Sequence, residues 1–186
     1  MAIRKTKKII LIVCEGKNKT ERLYFSNFIN NNNEYNIKIE NSEATDPKGM
    51  ISTAKKYMKK YGIKKEKDIV FCLMDGDNDK EKCMLIKDLK HKHRDINIIL
   101  SHPTFEIWYL LHYKYTTHSF DKEELIAELG KHIKNYQKNK NVYLTNSGLQ
   151  NYEKATKNIE SPHTLVIKIT RVWGLVFGII IKHIKT

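Results

Sequence analysis

The sequence has few cysteines, and they form no paired motif. Its three cysteines are Cys14, Cys72 and Cys83, an odd set without Cys-x-x-Cys spacing. That pattern indicates neither a disulfide framework nor a zinc site. Cys14 and Cys72 lie inside apolar runs, where a thiol usually acts as a small buried hydrophobe.

Long hydrophobic runs are also lacking. The apolar run at 9–14 is too short for a signal peptide and ends at Glu15. A second run, at 172–181, is closely bracketed by Lys168, Arg171 and Lys182, and is well short of the ~20 residues that a membrane-spanning helix needs. We interpret it as a core or interfacial helix. We therefore expect a cytoplasmic protein with no clear membrane association.

Glycine-rich phosphate loops are missing as well. No Gly-x-Gly-x-x-Gly occurs, and the segment 15–21 lacks both the first glycine and the Gly-Lys-Thr ending of a Walker motif. The sequence therefore does not support ATP binding. Lys17 and Lys19 in this turn, with Thr20 at the start of the next helix, remain candidates for contact with a phosphate near a helix N-terminus.

Basic residues, in contrast, are in clear excess. The chain has 34 Lys and Arg against 21 Asp and Glu, a formal net charge of +13. Such a charge attracts polyanions, and nucleic acid is the expected partner. The lysines occur in runs, for example at 55–67 and 131–140, and such runs are also typical of solvated surfaces. Charge alone does not identify the partner.

Apolar runs alternate with helical patterns along the first half of the chain. The patterns predict strands at 9–13, 35–39, 69–74 and 96–100, and helices at 20–29, 47–61 and 81–93. This alternation is typical of an α/β Rossmann-like domain, with a mostly parallel sheet of about four strands flanked by helices. Further helices are predicted at 104–112, 121–130 and 149–159. We expect one domain over 1–186, with a sheet core at about 8–102 and a helical C-terminal part at about 104–186.

Carboxylates follow two of the predicted strands at the point where each strand ends. Asp75 and Asp77 come directly after one aliphatic run, and Glu15 follows another. Strand ends that meet at one sheet edge would let these acids share one or two divalent metal ions, which favours phosphodiester cleavage. An ordinary polar turn is the alternative for 75–79. A calcium loop is excluded, because Lys80 and Ile86 stand where Gly and Glu are needed.

The fourth strand is followed by a second group of candidates. His102 and Glu106 are four residues apart, and a regular turn would place them on one helical side, where they could assist a metal or a proton. A structural histidine and a glutamate that suits the helix dipole are the alternative. The nearby aromatic residues are expected in the core rather than in a base-stacking platform; these are Phe105, Trp108, Tyr109 and Tyr113.

Three segments together resemble the RloB-like family. They are Ile-Leu-Ile-Val-Cys-Glu-Gly-Lys-Asn-Lys-Thr-Glu-Arg-Leu-Tyr-Phe at 10–25, Val-Phe-Cys-Leu-Met-Asp-Gly-Asp at 70–77 and Ser-His-Pro-Thr-Phe-Glu-Ile-Trp-Tyr-Leu-Leu-His at 101–112. The resemblance covers about 10–165. The turn at Asn18 departs from the pattern, and so does the apolar tail after Leu165.

The resemblance implies a branch of the Toprim clan, with a Rossmann-like sheet and catalytic acids at Glu15, Asp75 and Asp77. It further implies a nuclease that depends on Mg²⁺ or Mn²⁺, acts on DNA or RNA, including tRNA, and serves in phage defence or abortive infection beside an ABC-type ATPase. Additional expected metal ligands are Asp79 and Glu106. Phosphate or nucleic-acid contacts are expected at Lys17, Lys19, Thr20 and His102, and supporting roles at Gly16 and Glu21.

Two other functions remain open. A haloacid-dehalogenase-type phosphotransferase would use Asp75 as nucleophile and Asp77 as acid and base, although Asp79 stands where that motif has Thr or Val. A catalytically silent nucleic-acid-binding or regulatory subunit would keep the basic surface and the fold. The oligomeric state is not predicted by the sequence.

Overall fold

The structure is a computed structural model, and it describes residues 7–16, 20–29, 35–138, 140–143, 147, 154, 155 and 157. The predictions for Lys17, Asn18 and Lys19 lie outside the described residues, as does the prediction for the apolar tail. Of the helix predicted at 149–159, only residues 154, 155 and 157 are described, and they are helical.

A four-stranded parallel sheet forms the centre of the fold. Its strands are β1 (Lys8–Cys14), β2 (Tyr35–Asn41), β3 (Ile69–Asp75) and β4 (Asn97–Ser101). They are arranged in the order β2-β1-β3-β4, and every neighbouring pair is parallel. The predicted α/β Rossmann-like arrangement is confirmed. Since β1 and β3 are neighbours, their carboxyl ends meet at the same edge of the sheet.

Helices flank this sheet. They are α1 (Thr20–Ser26), α2 (Pro47–Tyr61), α3 (Lys80–Lys92), α4 (Glu106–Leu111) and α5 (Lys122–Gly130). The predicted ends of α2 are confirmed: Asp46 caps its first turn, and Gly62 adopts the left-handed backbone that ends it. Helix α1 ends earlier than predicted, because the side-chain amide of Asn27 donates to the carbonyls of Leu23 and Tyr24.

The two faces of β1 pack against different layers, because successive side chains of a strand point to opposite sides. Ile10 and Ile12 join a core cluster with α1, α4 and α5, while Leu11 and Val13 join a second one with α2 and α3. All four are fully buried. Strand β1 is therefore buried on both faces, as its continuous apolar run predicts.

The aromatic residues around α4 confirm their predicted role in the core. Phe105, Trp108 and Tyr109 are each 1% exposed, and Tyr113 packs against the same cluster. Tyr24 of α1 meets Phe105, Trp108 and Tyr109 with ring centroids 5.7, 6.4 and 5.7 Å away. This packing attaches α1 and α4 to one face of the sheet.

The segment between β4 and α4 differs from the prediction. Helix α4 begins at Glu106, not at Thr104, and His102 lies outside it. His102 and Glu106 are thus not neighbours on one helical side, and that expectation is wrong. The physical reason is Pro103, which disfavours helical backbone at the residue before it; the His102–Pro103 peptide bond is cis.

Candidate metal centre

The predicted acidic site is assembled where β1 and β3 end. Glu15 immediately follows β1, Asp75 is the last residue of β3, and Asp77 lies two residues further on. Oε2 of Glu15 accepts a hydrogen bond of 2.8 Å from the backbone N–H of Asp75. The Glu15 side chain is therefore fixed to the end of the neighbouring strand.

The loop that carries Asp77 is held against the end of β4. The N–H of Gly76 donates to the Ser101 carbonyl at 2.7 Å, and the N–H of Asp77 donates to the Pro103 carbonyl at 3.0 Å. Asp77 and Asn78 both have positive φ, 53° and 59°. Asp and Asn tolerate this left-handed backbone better than most residues, so the chain can turn sharply into α3.

Two lysines that sequence reasoning missed complete the outer part of the site. The ammonium group of Lys82 in α3 donates to Oε1 of Glu15 at 2.8 Å and to Oδ2 of Asp77 at 2.7 Å. Lys122, at the start of α5, lies 2.6 Å from Oδ1 of Asp77. Each oxygen of Asp77 is thus paired with a cation.

A cavity of about 840 Å³ opens over these residues. It is lined by Glu15, Gly16, Thr45, Asp46, Pro47, Asp75, Asp77, Asp79, Glu81, Lys82 and Leu85. The three predicted catalytic acids therefore face one cavity at the carboxyl edge of the sheet, where α/β proteins commonly bind ligands. Glu106 and His102 are not among the described residues that line it.

The outer part of the site is strongly charged. Burial acts to raise the pKa of Asp77, but hydrogen bonds from Lys122 and Lys82 outweigh it and lower that pKa. Burial likewise acts to lower the pKa of Lys82, and its bonds to Asp77 and Glu15 raise it instead. Asp77 therefore stays anionic and Lys82 stays cationic at neutral pH.

The inner part of the site has the opposite character. Burial, followed by repulsion from Glu21 and Glu106, raises the pKa of Asp75 well above its usual range. Burial also raises the pKa of Glu21 to about 8, and Glu106 and Glu15 add to that effect. Oε2 of Glu21 is buried and has no hydrogen-bond partner among the described residues. Burial and the neighbouring acids thus shift the pKa of both Asp75 and Glu21 upward, opposite to the shift at Asp77.

Glu106, a predicted metal ligand, has other partners. The residue is 2% exposed, and its carboxylate accepts a 3.0 Å hydrogen bond from the Tyr136 hydroxyl and lies 3.4 Å from the Lys138 ammonium group. Asp79, another predicted ligand, lines the cavity, and its Oδ1 caps α3 by accepting from the Lys82 N–H at 2.9 Å. Both carboxylates contribute to local structure through these bonds.

Gly16, Thr20 and His102 are the remaining predicted site residues that the structure describes. Gly16 lines the cavity with a φ of 63°, a backbone conformation that glycine adopts without strain. Thr20 is 4% exposed and is the first residue of α1. His102 packs beside the site loop, with Nδ1 4.0 Å from Sγ of Cys83, and burial lowers its pKa.

Within the described part of the chain, no three His, Cys, Asp or Glu side chains converge tightly enough to form a metal site by themselves. Two carboxylates do converge on one position, that of the Lys82 nitrogen: Oε1 of Glu15 and Oδ2 of Asp77 both lie within 2.8 Å of it. Mg²⁺ commonly uses only one or two protein carboxylates and completes its shell with water and phosphate oxygens. The residues present fit such an ion.

Comparison with known proteins identifies the family. The family model described as "RloB-like protein" matches residues 10–177. The chain belongs to the RloB-like family. No curated protein and no solved structure matches it. The match confirms the resemblance of the three segments and extends beyond 165, the last residue that the resemblance was expected to cover. Among the described helices of this family member, none is both long and apolar enough to span a membrane.

Proposed function

We propose that this RloB-like chain is a Toprim-type nuclease that hydrolyses phosphodiester bonds of nucleic acid with a divalent ion, Mg²⁺ or Mn²⁺. One observation carries the proposal: oxygens of Glu15 and Asp77 already converge on a single cation, the Lys82 ammonium group, at 2.8 and 2.7 Å. They do so in a cavity at the carboxyl edge of a parallel sheet. A doubly charged ion would be attracted to the same oxygens.

The residues of the site have distinct roles in this hydrolysis. Glu15 and Asp77 would hold the ion, and Asp75 lies beside them at the end of β3. When bound, the ion would activate water for attack on phosphorus and neutralise charge on the leaving oxygen. The Asp75 N–H keeps Glu15 oriented, and Lys122, whose side chain is 42% exposed, is placed to neutralise an approaching phosphate. A water oxygen bonds to phosphorus, the P–O ester bond breaks, and the leaving oxygen takes a proton.

The charge of the chain supports a nucleic-acid substrate. A net charge of +13 would draw a polyanion toward the acidic cavity and offset the repulsion between its carboxylates and phosphate. DNA and RNA, including tRNA, remain the substrate classes. As the family resemblance implies, we further propose a role in phage defence with an ABC-type ATPase as partner.

The test is metal-dependent cleavage by the purified chain. DNA, RNA and tRNA are incubated with Mg²⁺ or Mn²⁺ and the wild type, Glu15→Gln or Asp77→Asn. Both variants should lose at least a hundredfold in rate, because each removes one of the two convergent carboxylates. Glu81→Gln is the matched control: this exposed glutamate lines the same cavity and contacts none of the site acids through a described hydrogen bond. Equal cleavage by all four proteins would refute the proposed site.

The second candidate is a catalytically silent nucleic-acid-binding or regulatory subunit. It is favoured by one observation, the pairing of both Asp77 oxygens with lysines, which satisfies this carboxylate within the protein itself. A silent subunit would bind nucleic acid equally well with and without divalent ion, and would cleave none of the three substrates even with the ATPase present.

A phosphotransferase that uses Asp75 as nucleophile is disfavoured. Asp75 is 8% exposed, and burial raises its pKa well above the usual range. A nucleophilic carboxylate must be reachable by the phosphorus atom, and the burial of Asp75 opposes that approach. The more exposed and anionic residue of the pair is Asp77, which is the reverse of what that mechanism needs.

A further inference from the structure

Lys82 occupies the one point that the two convergent carboxylates share. It is the third residue of α3, its backbone N–H is bonded to the Asp79 cap, and its side chain is 13% exposed. Its ammonium group bridges Glu15 and Asp77. Lys122, in contrast, forms an ion pair with Asp77 through the other oxygen, has no described hydrogen bond or ion pair to Glu15, and has a side chain that is 42% exposed. The protein thus supplies its own cation between the two acids.

A divalent ion and this ammonium group cannot both occupy the position between the carboxylates. Mg²⁺ binds oxygen at about 2.0–2.1 Å, so an ion held by these two oxygens would compete for the position that the Lys82 ammonium group holds at 2.8 and 2.7 Å from them. Like charges that close repel each other strongly in a partly buried site. Metal binding at this shared position therefore requires the Lys82 side chain to leave it.

We propose that Lys82 sets the metal affinity of this site by acting as a tethered competitor for the Glu15 and Asp77 carboxylates. The inference rests on the proposed function, because it takes divalent metal binding as given. The exchange is one cation for another: the ammonium group moves out into the cavity as the ion enters. Only the fraction of molecules with Lys82 displaced is competent to bind, so the apparent affinity is weakened by that fraction.

Lys82→Met tests the competition, since methionine keeps most of the side-chain length and removes the charge. Mn²⁺ is titrated into the full-length wild type and variant by isothermal calorimetry without nucleic acid. We expect the variant to bind about tenfold more tightly or better, as when a competent state of about 10% becomes fully populated. Equal or weaker binding by Lys82→Met would overturn the proposal.

Lys80→Met is the matched control. This exposed lysine begins the same helix, and its loss changes the net charge by the same amount. It should alter Mn²⁺ affinity by less than about twofold, because it acts only through screened long-range charge. If Lys80→Met tightens binding as much as Lys82→Met does, net charge is the cause and the competition is refuted.

Lys82→Gln provides a second test in case the methionine variant does not fold. Its side-chain amide can still donate a hydrogen bond to one carboxylate but carries no charge to compete with the ion. It should also bind Mn²⁺ more tightly than the wild type does. If the wild type and both Lys82 variants are folded by circular dichroism and none binds Mn²⁺, the proposed metal-dependent function fails. If all bind equally, that function survives and only the role of Lys82 is rejected.

Discussion

Glu15 and Asp75 are joined by a 2.8 Å hydrogen bond from the Asp75 backbone N–H to Oε2 of the Glu15 carboxylate. The bond connects the residue after β1 to the last residue of β3, across the pair of strands at the centre of the sheet. One oxygen of Glu15 thus holds the sheet end together while the other faces Lys82. The Glu15 side chain therefore both stabilises the end of the sheet and forms part of the candidate site.

This dual role predicts different effects of two substitutions at Glu15. Glu15→Gln keeps an oxygen that can accept from the Asp75 N–H, whereas Glu15→Ala leaves that donor without its partner. We expect the alanine variant to be less stable than the glutamine variant by about 1–3 kcal/mol, the usual cost of an unsatisfied buried group. Urea denaturation without divalent ions measures the difference. Equal free energies of unfolding would mean that the bond contributes nothing.

Gly76 is predicted to be intolerant of a side chain. A Cβ atom there would lie 2.9 Å from Nδ1 of His102, 3.0 Å from Sγ of Cys83 and 3.3 Å from a methyl carbon of Leu100. Because those side chains must shift, Gly76→Ala should lower the free energy of unfolding by about 1–3 kcal/mol. Gly130→Ala is the control, since a Cβ there meets nothing within 4 Å. Chemical denaturation of both variants gives their free energies of unfolding. If Gly76→Ala changes that free energy as little as Gly130→Ala does, the prediction is wrong.

Sequence patterns predicted the sheet well because each strand carries a local signal. The aliphatic runs at 9–13 and 69–74 mark strands buried on both faces, and the acids that follow them necessarily emerge at one sheet edge. The positions of Glu15, Asp75 and Asp77 could therefore be inferred. The start of α4 was missed by two residues: it was predicted at 104, and the helix begins at Glu106.

The cations of the site could not be predicted as readily. Lys82 resembles any exposed helical lysine in the sequence, and only the sharp turn at Asp77 and Asn78 directs it back toward the acids. A usable signal did exist, namely a lysine in the first turn of the helix that directly follows an Asp-x-Asp strand end. Lys122 offered no such signal, since 45 positions of chain separate it from Asp77 and only tertiary packing joins them.

Tyr136 is predicted to stabilise the buried Glu106 carboxylate. Its hydroxyl donates to Oε1 of Glu106 at 3.0 Å, and Glu106 is only 2% exposed. Tyr136→Phe removes this donor and leaves the Lys138 ammonium group as the nearest described cation, at 3.4 Å. Since hydrogen bonds to charged groups typically contribute about 1.5–3 kcal/mol, stability should fall by about that amount.

Tyr115→Phe provides the comparison for Tyr136→Phe. Tyr115 is 39% exposed, so its hydroxyl is available to water and its removal should change stability by less than about 0.5 kcal/mol. Thermal unfolding of both variants beside the wild type tests the pair. If the two substitutions shift the thermal unfolding midpoint equally, the hydrogen bond to Glu106 does not stabilise the fold measurably.

His112 is predicted to make the fold sensitive to mild acid. Burial lowers its pKa from 6.5 to about 4, a shift that the hydrogen bond to the Trp108 carbonyl only partly opposes. The unfolded chain therefore binds a proton more readily than the folded one. The resulting stability is fully present above pH 6.5 and is lost as the pH falls from about 6.5 to about 4.

Replacing this histidine should remove that part of the pH dependence. Between pH 7 and about pH 4.5 the wild type should lose about 2 kcal/mol more than His112→Gln, which cannot titrate but can still donate to Trp108. Urea denaturation at both pH values gives the comparison, with His91→Gln, an exposed histidine of α3, as control. His91→Gln should follow the wild type. Because other groups titrate equally in all three proteins, identical losses for wild type and His112→Gln would show that His112 is not the group responsible.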